Sequence, residues 1–143
     1  MQARPVIFVV EDDPAVSSVI KQVLDPLGID AEYFATAHDA IDALDRRHPE
    51  RILLDLTLRN SNARDVVHAL RAKRYRGLVH MMSGSYQAPI DEVEQVGVHG
   101  GVTFGERLNK PFRCEALLRV IAGNWRKTRP LAGDRVSRGA RSG

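Results

Sequence analysis

Acidic, hydroxyl and basic side chains stand at the ends of the apolar runs of this 143-residue chain. Asp55 follows three large apolar residues, 52–54, where a buried strand would be expected to end. Burying a carboxylate costs several kcal/mol unless it is paired or bound to a cation. The other polar residues at or just behind the ends of such runs are Glu11, Asp12, Asp13, Thr57, Ser83 and Lys110. If the runs are neighbouring strands of one sheet, these side chains could form a single site.

The chemistry that this set could perform is phosphoryl transfer. Clustered carboxylates with no His or Cys nearby favour Mg²⁺, and a carboxylate beside Mg²⁺ can attack phosphorus to form an aspartyl phosphate. A lysine and a small hydroxyl then hold the remaining phosphoryl oxygens. Asp55, Lys110 and Ser83 have the residue types for these roles. Each also fits an ordinary turn, helix cap or exposed break by itself, so the argument depends on their convergence.

A zinc site is not favoured by the histidines, which are scattered without the spacing of a zinc motif. The five are His38, His48, His68, His80 and His99. His80, inside an apolar run, is interpreted as a core residue with satisfied hydrogen bonds.

The elements that must position the site alternate along the chain, and this pattern predicts a parallel sheet covered on both faces. The predicted strands are PVIFVV, AEYFAT, RILLDL and GLVHMMS, followed by either Val102–Phe104 or the RLN segment before Lys110. Right-handed crossovers give such a chain an open α/β sheet, in which the carboxyl ends of the strands lie along one rim. All the polar residues named above fall at this predicted rim.

The helices between the strands are predicted from caps and apolar spacing. Asp13 with Pro14 begins the first helix and Gly28 ends it, Thr36 begins the second, and Pro89 opens the fourth. The apolar face predicted for the first helix is Val16, Val19, Ile20, Val23, Leu24 and Leu27, and that for the third is Val66, Val67 and Leu70. The face predicted for the fourth helix is Ile90, Val93 and Val96, and that for the last is Cys114, Leu117, Leu118, Ile121 and Trp125.

The composition is that of one globular domain, with 43% hydrophobic and 27% charged residues. The single cysteine, Cys114, excludes an internal disulfide and a CxxC metal site. No apolar run approaches the roughly 20 residues of a membrane span, and the N-terminus turns acidic before a signal-peptide core is complete. The sequence therefore predicts a cytoplasmic protein without a membrane partner.

Most of the positive charge lies at the C-terminus. Residues 126–143 hold six Lys or Arg against one Asp, which leaves fifteen basic and seventeen acidic groups in residues 1–125. The sequence predicts a folded domain over 1–125 and a disordered basic tail over 126–143. No aromatic residue interrupts the basic ones, so nucleic-acid binding is not favoured.

Four motifs together resemble the receiver domain of two-component response regulators, from Val6 to about Trp125. VVEDDP is similar to the acidic pair of that family, ILLDL to its phospho-acceptor strand, MMSGS to the strand with the switch hydroxyl, and NKPF to its Lys-Pro segment. The resemblance implies an α/β, doubly wound five-stranded parallel sheet of the flavodoxin-like (βα)5 type, with strand order 2-1-3-4-5.

The resemblance also implies the metal ligands. Asp12 and Asp55 would bind Mg²⁺ together with the backbone carbonyl of Thr57, and Glu11 would act through a bound water. Asp55 would be the phospho-acceptor, with a phosphohistidine on a sensor histidine kinase or histidine phosphotransfer protein as the donor.

Further roles follow for the phosphoryl group and the output. Ser83 and Lys110 would hold the phosphoryl oxygens, and Gly84 would keep the approach to Asp55 open. The output surface would be the fourth helix, the fifth strand and the last helix, and phosphorylation would reorganise residues 83–108. Receivers catalyse only their own phosphorylation and slow dephosphorylation, so the chain is expected to be a signalling module rather than an enzyme.

Three positions depart from the family pattern. Arg59 stands where a proline is usual, and Ala63 where a glycine is frequent. Arg107, three residues before Lys110, stands where many receivers have an aromatic side chain that turns inward on activation. The usual coupling between hydroxyl and aromatic side chain is therefore not expected in its common form.

The sequence motifs bear on three alternative functions. A small Mg²⁺-dependent phosphatase with an aspartyl nucleophile would need two Asp residues two positions apart after strand one, and EDDPA lacks that spacing. A nucleotide-binding module would need a glycine-rich phosphate loop, and acids stand there instead. A receiver-like domain that binds a partner without phosphate remains an alternative. No second domain follows Trp125 in the sequence, which predicts a stand-alone receiver with an unknown output protein and leaves a dimer open.

Overall fold

The computed structural model describes residues 6–59, 61–84 and 88–123. The strands in these ranges are β1 (Val6–Val10), β2 (Asp30–Phe34), β3 (Arg51–Asp55), β4 (Leu78–Ser83), β5 (Thr103–Phe104) and β6 (Leu108–Asn109). The α-helices are α1 (Pro14–Leu24), α2 (Ala37–Leu44), α3 (Ala63–Ala72), α4 (Ala88–His99) and α5 (Cys114–Leu118). The predicted face residue Trp125 and the predicted tail, 126–143, lie outside the described residues.

The strands form one parallel sheet in the order β2-β1-β3-β4-β5, with β6 also paired to β4. The predicted doubly wound fold and its 2-1-3-4-5 order are confirmed. Because β3 is central, its neighbours β1 and β4 end beside the carboxylate that closes β3. Three of the predicted polar strand ends therefore lie next to one another.

The fifth strand is split, and both segments considered for it in the sequence pair with β4. Thr103 lies opposite Leu78 in β5, and Leu108 lies opposite Met82 in β6. Gly105 lies between the two segments, where a Cβ would be 2.5 Å from Cε1 of His80. The backbone therefore approaches β4 too closely here for any side chain, and the glycine is required by packing.

Side-chain caps begin three of the helices in the loops that follow strands. The Asp13 carboxylate accepts from Ala15 N at 2.9 Å, and the Thr36 hydroxyl accepts from Asp39 N at 3.1 Å, as the sequence predicts. The Asn62 side chain caps α3 in the same way and was not anticipated. Each cap fixes a loop at the carboxyl rim of the sheet.

Two apolar cores hold the central strand from opposite faces. Ile52 and Leu54 pack into the core shared with α2, α3 and α4, whereas Leu53 packs into the core shared with α1 and α5. All three side chains are almost fully buried. A strand clamped on both faces has little freedom to shift, so Asp55 at its end has a defined position.

The first helix is shorter than its apolar spacing predicts. It ends at Leu24 and is followed by a 3-10 turn, Asp25–Leu27, which leads to Gly28 at a left-handed φ of 71°. Val19 and Leu27 were predicted to face inward but are 42% and 49% exposed. Leu27 lies in the 3-10 turn, where the α-helical spacing used for the prediction no longer applies.

The last helix, α5, continues as a π-helical turn, Arg119–Gly123, and together they bury Leu117 and Ile121 of the predicted face but not all of it. Cys114 is exposed and Leu118 is 37% exposed, whereas Leu117, Val120 and Ile121 are buried. Three- and four-residue spacing fits both sets, so the sequence alone could not select between them.

None of the helices in the described ranges is long and apolar enough to cross a membrane.

A buried polar pair links the lower part of the sheet to the split strand. Nη1 of Arg51 lies 2.9 Å from Nε2 of His80, and Nδ1 of His80 lies 2.8 Å from the Glu106 carbonyl oxygen. Arginine can only donate, so Nε2 accepts and Nδ1 carries the proton that Glu106 accepts. Burial, with the charge of Arg51 acting in the same direction, lowers the pKa of His80 to about 4. The prediction that His80 is a satisfied core residue is confirmed.

Candidate functional site

The site begins where β1 and β3 end side by side. Val10 lies opposite Leu54, so the residues that follow them, Glu11 and Asp55, are neighbours at the rim. The two residues are only 3% and 1% exposed. Burial raises the pKa of Glu11, and the nearby charge of Asp55 acts in the same direction. Two neighbouring buried carboxylates require a positive partner.

Lys110 supplies that partner from the residue after β6. Its Nζ lies 2.5 Å from Oε1 of Glu11 and 3.2 Å from Oδ1 of Asp55. Its backbone N–H donates to the Ser83 carbonyl at 2.6 Å, which continues the pairing of β6 with β4. Burial alone would lower the pKa of Lys110, but the hydrogen bond to Glu11 and the charges of both carboxylates raise it overall. The ammonium group is therefore firmly protonated between the two acids.

Thr57 orients the Asp55 carboxylate. Its N–H and its hydroxyl both donate to Oδ1 of Asp55, at 3.0 and 3.1 Å. The sequence had suggested only the Thr57 carbonyl, as a metal ligand, and these two donors were missed. The usable signal was an Asp followed two residues later by Thr, because an Asp side chain often accepts from the backbone two positions ahead.

Asp12 completes the acidic group and has a partner that the sequence did not indicate. Its Oδ2 accepts from the backbone N–H of Arg59 at 2.8 Å. The Arg59 guanidinium Nε lies 3.9 Å from the same oxygen, with the side chain 77% exposed. The usable signal was the absence of the proline that is usual at this position. Proline has no N–H, whereas Arg59 has one that can donate to a carboxylate.

Glu11, Asp12 and Asp55 can each direct one oxygen to a common point. The three oxygens lie within 4.8 Å of one another. Lys110 contacts Glu11 and Asp55, and the exposed Arg59 guanidinium lies 3.9 Å from Asp12, so these cations do not fully balance the three carboxylates. A small cation that prefers oxygen ligands fits this donor set, and Mg²⁺ is the usual ion of that kind.

Ser83 and Gly84 stand at the edge of this group, at the end of β4. Ser83 is 1% exposed and its hydroxyl donates to the Gly84 carbonyl at 3.3 Å rather than to Asp55. A Cβ built at Gly84 would meet nothing within 4 Å. Gly84 therefore borders open space, and a turn of the Ser83 hydroxyl is needed before it can contact a group on Asp55.

Arg107 is directed away from the acidic group, onto α4. Its Nε and Nη2 donate to the Glu94 carboxylate at 3.0 and 2.9 Å, and Nη2 also donates to Asp91 at 2.7 Å. The hydrogen bond to Glu94 is the main reason that its pKa is raised. Arg107 thus ties the segment between β5 and β6 to α4 by charge, at the position where an aromatic side chain is usual.

Comparisons with known proteins agree with this geometry. A family model for the response regulator receiver domain matches residues 7–122. The regulatory protein LuxO of Vibrio vulnificus is 38% identical over 133 residues, which cover 93% of this chain and 28% of LuxO. The DNA-binding response regulator MtrA of Mycolicibacterium smegmatis is 28% identical over 136 residues, covering 95% of this chain and 57% of MtrA. The chain thus spans little more than a quarter to about half the length of these relatives.

Solved structures share the fold. The CheY-like receiver domain protein of Methanospirillum hungatei superposes with a TM-score of 0.75 at 21% identity, covering 88% of this chain and 97% of that one. The Vibrio cholerae chemotaxis protein CheY4 gives a TM-score of 0.69 at 21% identity, covering 83% and 97%.

Proposed function

Because the chain belongs to the response regulator receiver domain family, we propose that it accepts a phosphoryl group on Asp55 in a two-component phosphorelay. The observation that carries the proposal is the convergence of three carboxylates and one ammonium group at the end of the central strand. Membership of this family supports the proposal over a phosphatase or a nucleotide-binding module. A receiver is a signalling phospho-acceptor, so self-phosphorylation and slow self-dephosphorylation are the only reactions proposed.

The metal proposal follows from the donor set. Asp12, Asp55 and the backbone carbonyl of Thr57 would bind Mg²⁺, with Glu11 acting through a water. Mg²⁺, when bound, would neutralise charge on the phosphoryl oxygens during transfer. The net negative charge of the acidic group supports a divalent rather than a monovalent cation.

The transfer step uses the Asp55 carboxylate as the nucleophile. One carboxylate oxygen forms a bond to phosphorus while the bond from phosphorus to the donor histidine nitrogen breaks. The bonding electrons return to that nitrogen, and a donor ring protonated on its other nitrogen leaves as neutral imidazole. In the described part of the chain, Thr57 and Lys110 both contact Oδ1 of Asp55, which supports Oδ2 as the attacking oxygen.

The remaining side chains would hold the product and transmit the signal. Lys110 already lies 3.2 Å from Asp55 and would contact one phosphoryl oxygen, while the Ser83 hydroxyl would turn from Gly84 to contact another. A phosphoryl group adds about two negative charges and three acceptor oxygens, enough to move that loop. Residues 83–108 would then be reorganised, including the contacts between Arg107 and α4.

The partners are proposed from the chemistry. The donor would be a sensor histidine kinase or a histidine phosphotransfer protein, and the output would be a partner protein that recognises the altered surface.

Incubation with acetyl phosphate and Mg²⁺, followed by intact mass, tests the proposal. The wild type should gain one phosphoryl adduct that hydroxylamine removes, and Asp55→Ala should gain none. Asp42→Ala, a carboxylate on the exposed face of α2, is the matched control and should be labelled like the wild type. An unlabelled wild type, under conditions that label another receiver, would instead favour a domain that binds its partner without phosphate.

A further inference from the structure

We propose that Arg59 restrains Mg²⁺ binding, because its backbone N–H and its guanidinium group compete with the metal for the Asp12 carboxylate. The inference rests on the metal site of the proposed function and assigns a positioning role to a residue outside that set. Arg59 would therefore set the Mg²⁺ concentration at which the receiver becomes competent for phosphoryl transfer.

The first observation is the hydrogen bond from Arg59 N to Oδ2 of Asp12, at 2.8 Å. A carboxylate oxygen that accepts an N–H in this direction must release or share that lone pair to bind a metal. Asp12, a proposed ligand, lies in the loop after β1 and Arg59 lies in the loop after β3, so the bond links the two loops across the rim. Metal entry must therefore work against an existing contact.

The second observation is charge. The guanidinium Nε lies 3.9 Å from the same Oδ2 atom, and the Asp12 side chain is only 16% exposed. A cation at this distance lowers the negative potential that attracts Mg²⁺. The arginine side chain itself is 77% exposed, so water and salt weaken this effect without abolishing it.

The third observation is the position of Arg59 in the loop. Two residues earlier, Thr57 donates its N–H and hydroxyl to Asp55. The loop is thus attached to both carboxylates of the metal site, to Asp55 through Thr57 and to Asp12 through Arg59. A residue without an N–H would leave only the first attachment.

Mg²⁺ titration of the unphosphorylated protein by isothermal calorimetry tests the inference with two variants. Arg59→Ala removes the charge but keeps the N–H, and should tighten Mg²⁺ binding about threefold. Arg59→Pro removes both and should tighten it about tenfold. Arg46→Ala, which removes an exposed charge at the end of α2, controls for net charge and should bind like the wild type.

A second readout follows the hydrogen bond directly. In a ¹⁵N–¹H spectrum of the metal-free protein, the Arg59 amide proton should lie downfield and should shift upfield as Mg²⁺ is added. Arg59→Ala should show the same behaviour at residue 59, which reports the bond even if the proline variant is poorly folded.

The outcomes separate this inference from the proposed function. If the wild type binds Mg²⁺ and Arg59→Ala binds no tighter, or if the residue 59 amide does not respond to the metal, the role of Arg59 is wrong while the receiver function stands. If wild type and variants all fail to bind Mg²⁺, both proposals fail. Tighter binding in both variants but not in Arg46→Ala supports the role of Arg59.

Discussion

Individual side chains in this domain act through partners that come from other elements. Lys110, after β6, neutralises two acids at the ends of β1 and β3, and Arg51 of β3 donates to His80 of β4. In both cases a charged or polar group is buried together with its partner. Removing one member of such a pair exposes the full cost of burying the other.

The His80 contacts predict a loss of stability in acid. The pKa of His80 is lowered by burial to about 4 from 6.5, so the unfolded chain binds more protons between these values. The stability is therefore complete above pH 6.5 and is lost as the pH falls toward 4, by about 3 kcal/mol. Urea unfolding at a series of pH values between 4 and 7.5 measures this loss of unfolding free energy.

The contribution of His80 is measured by comparing the pH dependence of the wild type with that of a variant, because other groups also affect the absolute slope. Glu11 acts in the opposite direction because its pKa is raised, so its protonation in acid favours the folded state. His80→Gln should flatten the pH dependence relative to wild type. His38→Gln, at an exposed position on α2, should leave it unchanged, and equal slopes in all three proteins would contradict the prediction.

Two elements on the β4 side of the sheet are held in unusual ways. The fifth strand is interrupted at Gly105, and α4 is tied to the segment after the interruption through Arg107. Both features lie in residues 83–108, the segment proposed to reorganise on phosphorylation. The Arg107 contacts connect this segment, next to the rim of the sheet, to the surface of α4.

The Gly105 position predicts a packing defect on substitution. In Gly105→Ala the new Cβ would lie 2.5 Å from a His80 ring carbon and 2.7 Å from Leu78. Buried side chains must move to accommodate it, at a cost of about 2 kcal/mol in the free energy of unfolding. Gly84→Ala, where the Cβ meets nothing within 4 Å, is the matched control. Equal denaturation midpoints for the two variants would refute the packing argument.

The Arg107 contacts predict a local effect on α4. Arg107→Ala removes hydrogen-bonded ion pairs to Asp91 and Glu94, and because Arg107 is 30% exposed the loss is about 1 kcal/mol. Amide hydrogen exchange should become faster in the peptide covering 88–99. Arg119→Ala, which breaks an exposed pair between the residue that follows α5 and Glu106, should leave that peptide unchanged. Unaltered exchange in α4 would show that the ion pairs do not hold this helix.

The whole molecule combines a firmly packed sheet with a negatively charged rim. Two cores fix the strands, so the repulsion among Glu11, Asp12 and Asp55 cannot be relieved by spreading the backbone. A divalent cation that binds only the folded rim would stabilise the entire domain by mass action.

Global stability should therefore rise with Mg²⁺. At a concentration ten times the dissociation constant, the free energy of unfolding should increase by about 1.4 kcal/mol. Thermal unfolding with and without MgCl₂, at matched ionic strength, measures this. Asp12→Asn should lose most of the increase, and a wild type whose midpoint is indifferent to Mg²⁺ would contradict the metal site.

The sequence by itself determined the parallel sheet and the set of residues at its rim, and the resemblance to receiver domains supplied the strand order. Apolar runs mark buried strands, caps such as Asp13 and Thr36 mark helix starts, and parallel strands must end on one edge. These are local patterns, or consequences of chain topology, so they can be read in order along the chain. The motifs around Asp55 and Lys110 were informative for the same reason.

Only the tertiary structure decided which atoms meet. The bond from Arg59 N to Asp12, the burial of Arg51 against His80, and the contacts of Arg107 with α4 each join segments that are far apart in sequence. Every residue except proline carries a backbone N–H, so nothing in the sequence marks the one that reaches a carboxylate across the rim. Side-chain direction and the last few ångströms of approach depend on packing between elements, which is why the grouping of residues at the rim was predictable and their detailed contacts were not.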